Sequence, residues 1–121
     1  MENNSFKVIV AGGRDFFNYD LLKAKLDIIL AKKENVVIIS GMANGADSLG
    51  IRYAREHKLL ISYFPALWAQ HGSKAGFIRN EEMAKYADAC VCFWDGKSSG
   101  TKDMIRLAEE YNLKLRVINY K

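Results

Sequence analysis

The chain is poor in the residues that break or cross-link a fold. Its 121 residues include one proline, Pro65, and two cysteines, Cys90 and Cys92. No linker, internal repeat or low-complexity segment interrupts it. The cysteines stand two residues apart in an apolar run. On a strand they point to the same face, a geometry ill suited to pairing with each other. They read as small buried hydrophobes of a reducing compartment. A metal site would need further ligands, and neither His57 nor His71 lies at ligand spacing from them, so no metal is expected. No apolar stretch approaches the ~18 residues of a membrane span. Met1-Glu2-Asn3-Asn4-Ser5 lacks the basic-then-apolar pattern of a secretory signal. A cytoplasmic protein is therefore expected. Long blocks of like charge are missing too: the net charge is +4, with acids and bases interleaved. That excess suits a phosphate-bearing partner, and equally an ordinary solvated surface.

Half of the residues are hydrophobic, enough for one packed domain spanning 1–121. Phe6–Ala11 reads as a buried strand stopped by Gly12-Gly13. Leucines and isoleucines at helical spacing predict a helix over roughly Tyr19 to Lys32. Val36–Ile39 is a second strand, ended by Ser40-Gly41, and a second helix runs from about Ala46 to His57. Leu59–Phe64 is a third strand, terminated by Pro65. A longer connection, Ala66 to Gly76, leads to a third helix, Phe77–Tyr86. Ala89–Trp94 is a fourth strand, followed by a turn-rich loop. Thr101 is expected to cap a helix that ends near Tyr111-Asn112, and Leu115–Ile118 is the last strand. Strands that alternate with helices and read as unbroken apolar runs imply a parallel sheet covered on both faces. The expectation is an α/β, three-layer, Rossmann-like fold: a doubly wound five-stranded sheet of order 3-2-1-4-5. Ligands of such sheets bind beyond the carboxyl ends of the strands, where the winding reverses between strands 1 and 4.

Three loops reach that place. In Gly12-Gly13-Arg14-Asp15-Phe16, paired glycines allow a sharp turn and close approach to a ligand, and Arg14 can clamp a phosphate with two hydrogen bonds. Against this, Arg14 and Asp15 could form a plain surface pair. Ser40-Gly41 through Gly45-Ala46-Asp47 leads to a helix N-terminus, whose free N–H groups attract anions; Asp47 is accounted for by its favourable place on the helix dipole. Asp95-Gly96-Lys97-Ser98-Ser99-Gly100-Thr101 combines glycines, hydroxyls and a helix start into a phosphate cradle. Gly96-Lys97-Ser98 mimics the end of a Walker A motif, but Val91 occupies the place of its upstream glycine. A dinucleotide fingerprint is missing after strand 1, and strand 2 ends on Ser40-Gly41 instead of an acid for a ribose hydroxyl. No cofactor is expected. Around the third helix, Arg79 and Asn80 could point into the site, or Arg79 could pair with Glu82 on the surface. Trp94 and Trp68 are candidates for stacking on a base, with core or dimer packing as the alternative.

Taken in order, Val10-Ala11-Gly12-Gly13-Arg14-Asp15-Phe16, Ser40-Gly41 with Gly45-Ala46-Asp47, Phe64-Pro65-Ala66, Gly76-Phe77-Ile78-Arg79-Asn80, Ala87-Asp88-Ala89 and Gly100-Thr101-Lys102-Asp103-Met104 cover nearly the whole chain. This set resembles the SLOG superfamily, named for the SMF/DprA and LOG proteins, and within it the small stand-alone YspA/YpsA-related branch. The resemblance implies a Rossmann-like sheet that binds a nucleotide or nucleotide-derived ligand, and relatives that often dimerise. Its LOG branch cleaves the N-glycosidic bond of nucleoside monophosphates with an arginine and an acid. Matching that motif places Arg79 at the arginine and Asp103, in place of a glutamate, at the acid.

These readings give a candidate ligand-binding set of Gly12, Gly13, Arg14, Asp15, Ser40, Gly41, Arg79, Asn80, Trp94, Gly96, Ser98, Ser99, Gly100 and Thr101. Arg79 and Asp103 are the candidate catalytic pair. Binding or sensing of a nucleotide-like small molecule ranks first, N-glycosidic hydrolysis second. DNA binding comes last, because neither a basic stripe nor a recognition helix is evident. Nucleic acid and membrane are thus not expected as partners, while a homodimer is compatible with the aromatic content.

Overall fold

The computed structural model describes residues 5–121; the N-terminal reading of residues 1–4 lies outside them. Its elements run β1 Phe6–Gly12, α1 Tyr19–Ile29, β2 Val36–Ser40, α2 Ala46–Glu56, β3 Leu60–Tyr63, α3 Trp68–His71, a 3-10 turn Gly72–Lys74, α4 Ala75–Tyr86, β4 Ala89–Trp94, α5 Ser99–Glu110 and β5 Lys114–Asn119. All strand pairs are parallel, and the order is β3-β2-β1-β4-β5. The chain therefore has the α/β, three-layer Rossmann-like fold that its alternating pattern implies.

The period-two alternation of a strand splits the apolar residues of the central strands between two cores. Val8, Val10, Val36, Ile38, Val91 and Phe93 face α1 and α2, where Leu22, Leu26, Tyr53 and Ala54 cover them. Ile9, Ala11, Ile39, Cys90 and Cys92 face α4 and α5, against Met83, Ala84, Met104 and Leu107. The cysteines are free and buried with their sulfurs 3.5 Å apart on one face, as their spacing implies. The thiols partner each other, and this contact together with burial pushes the Cys90 thiol well above its usual range.

Three local expectations are corrected. α1 stops at Ile29 instead of Lys32: the Leu30 N–H folds back onto Leu26 O, and Asn35 takes a left-handed φ of 55° to start β2. The connection over 66–76 holds α3 and the 3-10 turn, and α4 starts at Ala75, two residues before Phe77. Thr101 is not a cap. It lies in the first turn of α5, because Asp95 Oδ1 accepts from the N–H groups of Lys97 and Ser98 and closes the loop before Ser98. Among the described residues no helix is long and apolar enough to cross a membrane.

Candidate functional site

Beyond the carboxyl ends of β1, β2 and β4 lies an open cavity of about 460 Å³. The β1–α1 loop forms its floor. Gly12 has a φ of +153°, and a Cβ there would run into the Phe93 carbonyl oxygen, so the loop can lie against β4 only with glycine in place. Gly13 donates its N–H to Phe93 O at 3.0 Å, and its carbonyl accepts from Ala46 N at 3.1 Å. This carries the chain to Arg14, whose guanidinium has no hydrogen bond or ion pair among the described residues and lines the cavity. Asp15 also lines it, but both its oxygens are committed: Tyr120 Oη donates at 2.5 Å and Lys121 Nζ at 2.7 Å. Those two hydrogen bonds hold the Asp15 carboxyl below its ordinary range.

The β2–α2 loop is tied internally. Ser40 Oγ donates to the Asp47 carbonyl and accepts from Met42 N, both at 3.1 Å. Asp47 is 5% exposed and turns its carboxylate toward the cavity wall, where Oδ2 accepts from Ala43 N at 3.1 Å. Burial pushes its pKa up to about 6, against the weaker opposing pull of the Ala43 N–H, Arg79 and Arg14.

From the other side of the sheet α4 delivers Arg79, buried instead of paired with Glu82 on the surface. Arg79 Nη1 donates to Gly41 O at 2.5 Å and Nε to Asn80 Oδ1 at 3.1 Å. Asn80 Nδ2 in turn donates to Gly100 O at 3.3 Å and to Asp103 Oδ2 at 3.2 Å. Arg79 and Asn80 thus brace the β2–α2 loop against α5 across the cavity. Removal from water lowers the Arg79 pKa, but the group starts so high that it stays charged. α5 completes the wall. Its first N–H groups, at Ser99, Gly100 and Thr101, precede any intrahelical acceptor, and no side chain caps them. They open on the cavity with the positive end of the helix dipole.

The fold therefore brings together Gly12, Gly13, Arg14, Asp15, Arg79, Asn80, Ser98, Ser99, Gly100 and Thr101 around one cavity. Five other candidates do not line it. The Ser40 hydroxyl is spent inside its own loop, and Arg79 covers the Gly41 carbonyl. Trp94 turns its indole Nε1–H back onto Ser98 O at 3.1 Å. Gly96 sits on the outer turn of its loop at a φ of +86° with open space around it. Asp103 faces a shallow neighbouring hollow, with Oδ1 held by Arg106 Nη2 at 3.0 Å. Several lining residues stand outside the candidate set, among them Asp47, Phe77 and Met104. For Asp47 the signal was available, an acid one turn after a glycine loop at the switch point, but the dipole explanation absorbed it. Trp68, half exposed, stands at the mouth with Phe77.

A doubly wound parallel sheet with glycine loops and an uncapped helix at its switch point defines the class of Rossmann-like domains. Residues 6–71 match the YspA, cpYpsA-related SLOG family, YAcAr. The chain belongs to that family. It is 31% identical over 121 residues to the Gene 61 protein of Mycobacterium phage D29, covering 94% of this chain and 95% of the relative. Among solved structures it is similar to DNA processing protein A from Helicobacter pylori, described for its single-stranded DNA binding mode. The TM-score is 0.68 at 23% identity, covering 93% of this chain and 64% of that one. At that identity the likeness concerns the fold.

Proposed function

We propose that this domain binds or senses a nucleotide or nucleotide-derived ligand at the switch point. The observation that carries the reading is the convergence on one cavity of the uncapped α5 N-terminus and the uncommitted Arg14 guanidinium. Together they offer backbone donors, a helix dipole and a bidentate cation to one anion. The half-exposed Trp68 and Phe77 at the mouth supply apolar faces for a base. A thermal-shift screen against nucleotides, cyclic and dinucleotide messengers, ADP-ribose and NAD tests it. A ligand at a hundred times its Kd adds ~2.7 kcal/mol, a rise of several degrees for a domain of this size. No shift with any member of the panel would sink the proposal.

Single-stranded DNA is a second reading, raised by the single-stranded DNA binding described for the Helicobacter pylori protein, whose fold is similar. That likeness weakens the sequence-based exclusion of nucleic acid. Exposed aromatics beside basic groups would serve both ligands. Oligonucleotide affinity that falls steeply with salt, with no response to mononucleotides, would select it. N-glycosidic hydrolysis ranks below both. It asks Asp103 to act as a base, and Asp103 is tied to Asn80 and Arg106 outside the cavity. Base released from a nucleotide by the wild type and lost in Asp103→Asn would restore it.

A further inference from the structure

Asp47 lies in the first turn of α2, and its two oxygens are in different situations. Oδ2 accepts from Ala43 N, whereas Oδ1 has no hydrogen bond among the described residues. Every fully enclosed side-chain nitrogen or oxygen among the described residues is hydrogen-bonded. Oδ1 must therefore retain some open surface, and the residue lines the cavity. A carboxylate that is 5% exposed and half satisfied is costly to keep. Nearby Arg79 points Nη1 at Gly41 O, so no ion pair within 4.0 Å relieves it. What such an oxygen lacks is a neutral hydrogen-bond donor. A phosphate dianion carries no donor, and Arg14 and the α5 N-terminus offer it other partners.

We propose that Asp47 Oδ1 accepts a hydrogen bond from the 2′-hydroxyl of a ribose, so that the site selects ribonucleotides over 2′-deoxyribonucleotides. This rests on the nucleotide reading above and narrows it to a sugar class. The selectivity arises because the 2′-hydroxyl donates to an oxygen that a bound nucleotide covers. A 2′-deoxy analogue covers that oxygen without supplying the donor, a loss of about tenfold to a hundredfold in affinity. The acid that dinucleotide-binding sheets carry at the end of the second strand is absent here, and Asp47 supplies the same donor-seeking chemistry from the following helix.

The test is isothermal titration calorimetry of the full chain with the four ribonucleoside 5′-monophosphates and their four 2′-deoxy counterparts. Each pair differs in one hydroxyl, so donors on the base cancel. The inference expects ribose preferred by about tenfold or more, and the preference erased in Asp47→Ala, which removes the acceptor. Equal affinities for a pair that binds would overturn the inference while leaving the nucleotide reading intact. Binding of none of the eight would overturn the inference, and the wider panel above would decide the nucleotide reading. The wild-type pairs decide the matter even if the variant folds poorly.

Discussion

Two helices, α2 and α5, begin at the same edge of the sheet after glycine-containing loops, and the two beginnings are built in opposite ways. At α2 the chain is closed on itself: Ala46 donates to Gly13 O, Ser40 bridges Met42 and Asp47, and Gly45 sits against the backbone of Gly13 and Arg14. At α5 the turn is closed upstream by Asp95, and the first helical N–H groups are left open. Similar compositions thus serve different ends. One loop packs two elements together, while the other leaves donors for a ligand. The same contrast separates two acids. Asp15 is exposed and satisfied by Tyr120 and Lys121, while Asp47 is buried and half satisfied. Unsatisfied polar groups cluster at the cavity, where a ligand can complete them.

The comparison can be broken most forcefully at Gly45. Its φ is +80°, and a Cβ would meet Gly13 O and lie 2.7 Å from Arg14 C and Cα. Gly45→Ala should cost about 4 kcal/mol in urea unfolding, since backbone has to move. A loss under about 1 kcal/mol would show that the closed loop is looser than described.

Asp47→Asn comes next, and its effect depends on pH. The folded pKa, about 6, lies above the unfolded value of 3.8, so the native state holds the proton more tightly. Stability from this group is fully present below about pH 4 and lost as pH rises through about 6. The asparagine variant lacks that loss. Relative to wild type it should gain on the order of 3 kcal/mol between pH 4 and pH 7.5, measured by denaturant titration at each pH. An unchanged difference across that range would mean that Asp47 ionises without penalty.

Arg14→Ala tests the open side. With no partner to lose, its melting temperature should stay near that of wild type, while the affinity for a phosphate-bearing ligand drops by about 1.5–3 kcal/mol. A large fall in stability would place Arg14 among the structural residues. The smallest effect is expected at Gly100, where an added Cβ meets nothing within 4 Å. Gly100→Ala should change stability by about 0.5 kcal/mol or less in the favourable direction, because alanine is the better helix former. It sharpens the contrast with Gly45, since the same substitution has opposite signs in the two loops.

Much of this architecture was legible beforehand. The unbroken apolar runs of β1, β2 and β4 and the helical spacing between them announce a covered parallel sheet, and right-handed crossovers leave few orders for it. The switch point and the Arg14 and Ser98–Thr101 segments follow from that order. The start of α5 was misread because Thr101 is a good cap by type, whereas Asp95, six residues earlier, had already closed the turn. The connection over 66–76 was unreadable for a different reason: a four-residue helix is too short to show a period.

By itself, the sequence determined the class of fold, the face on which each strand residue lies and the three loops that meet at one edge. Those properties depend on periodicity and chain connectivity, which are local. Only the tertiary structure decided which members of those loops look into the cavity. It turned Ser40, Trp94 and Asp103 onto protein partners, set Arg79 as a brace, and left Arg14, the α5 N-terminus and Asp47 Oδ1 unspent. Side-chain partners come from residues distant in the chain, as with Arg79 and Gly41, and no spacing rule encodes them.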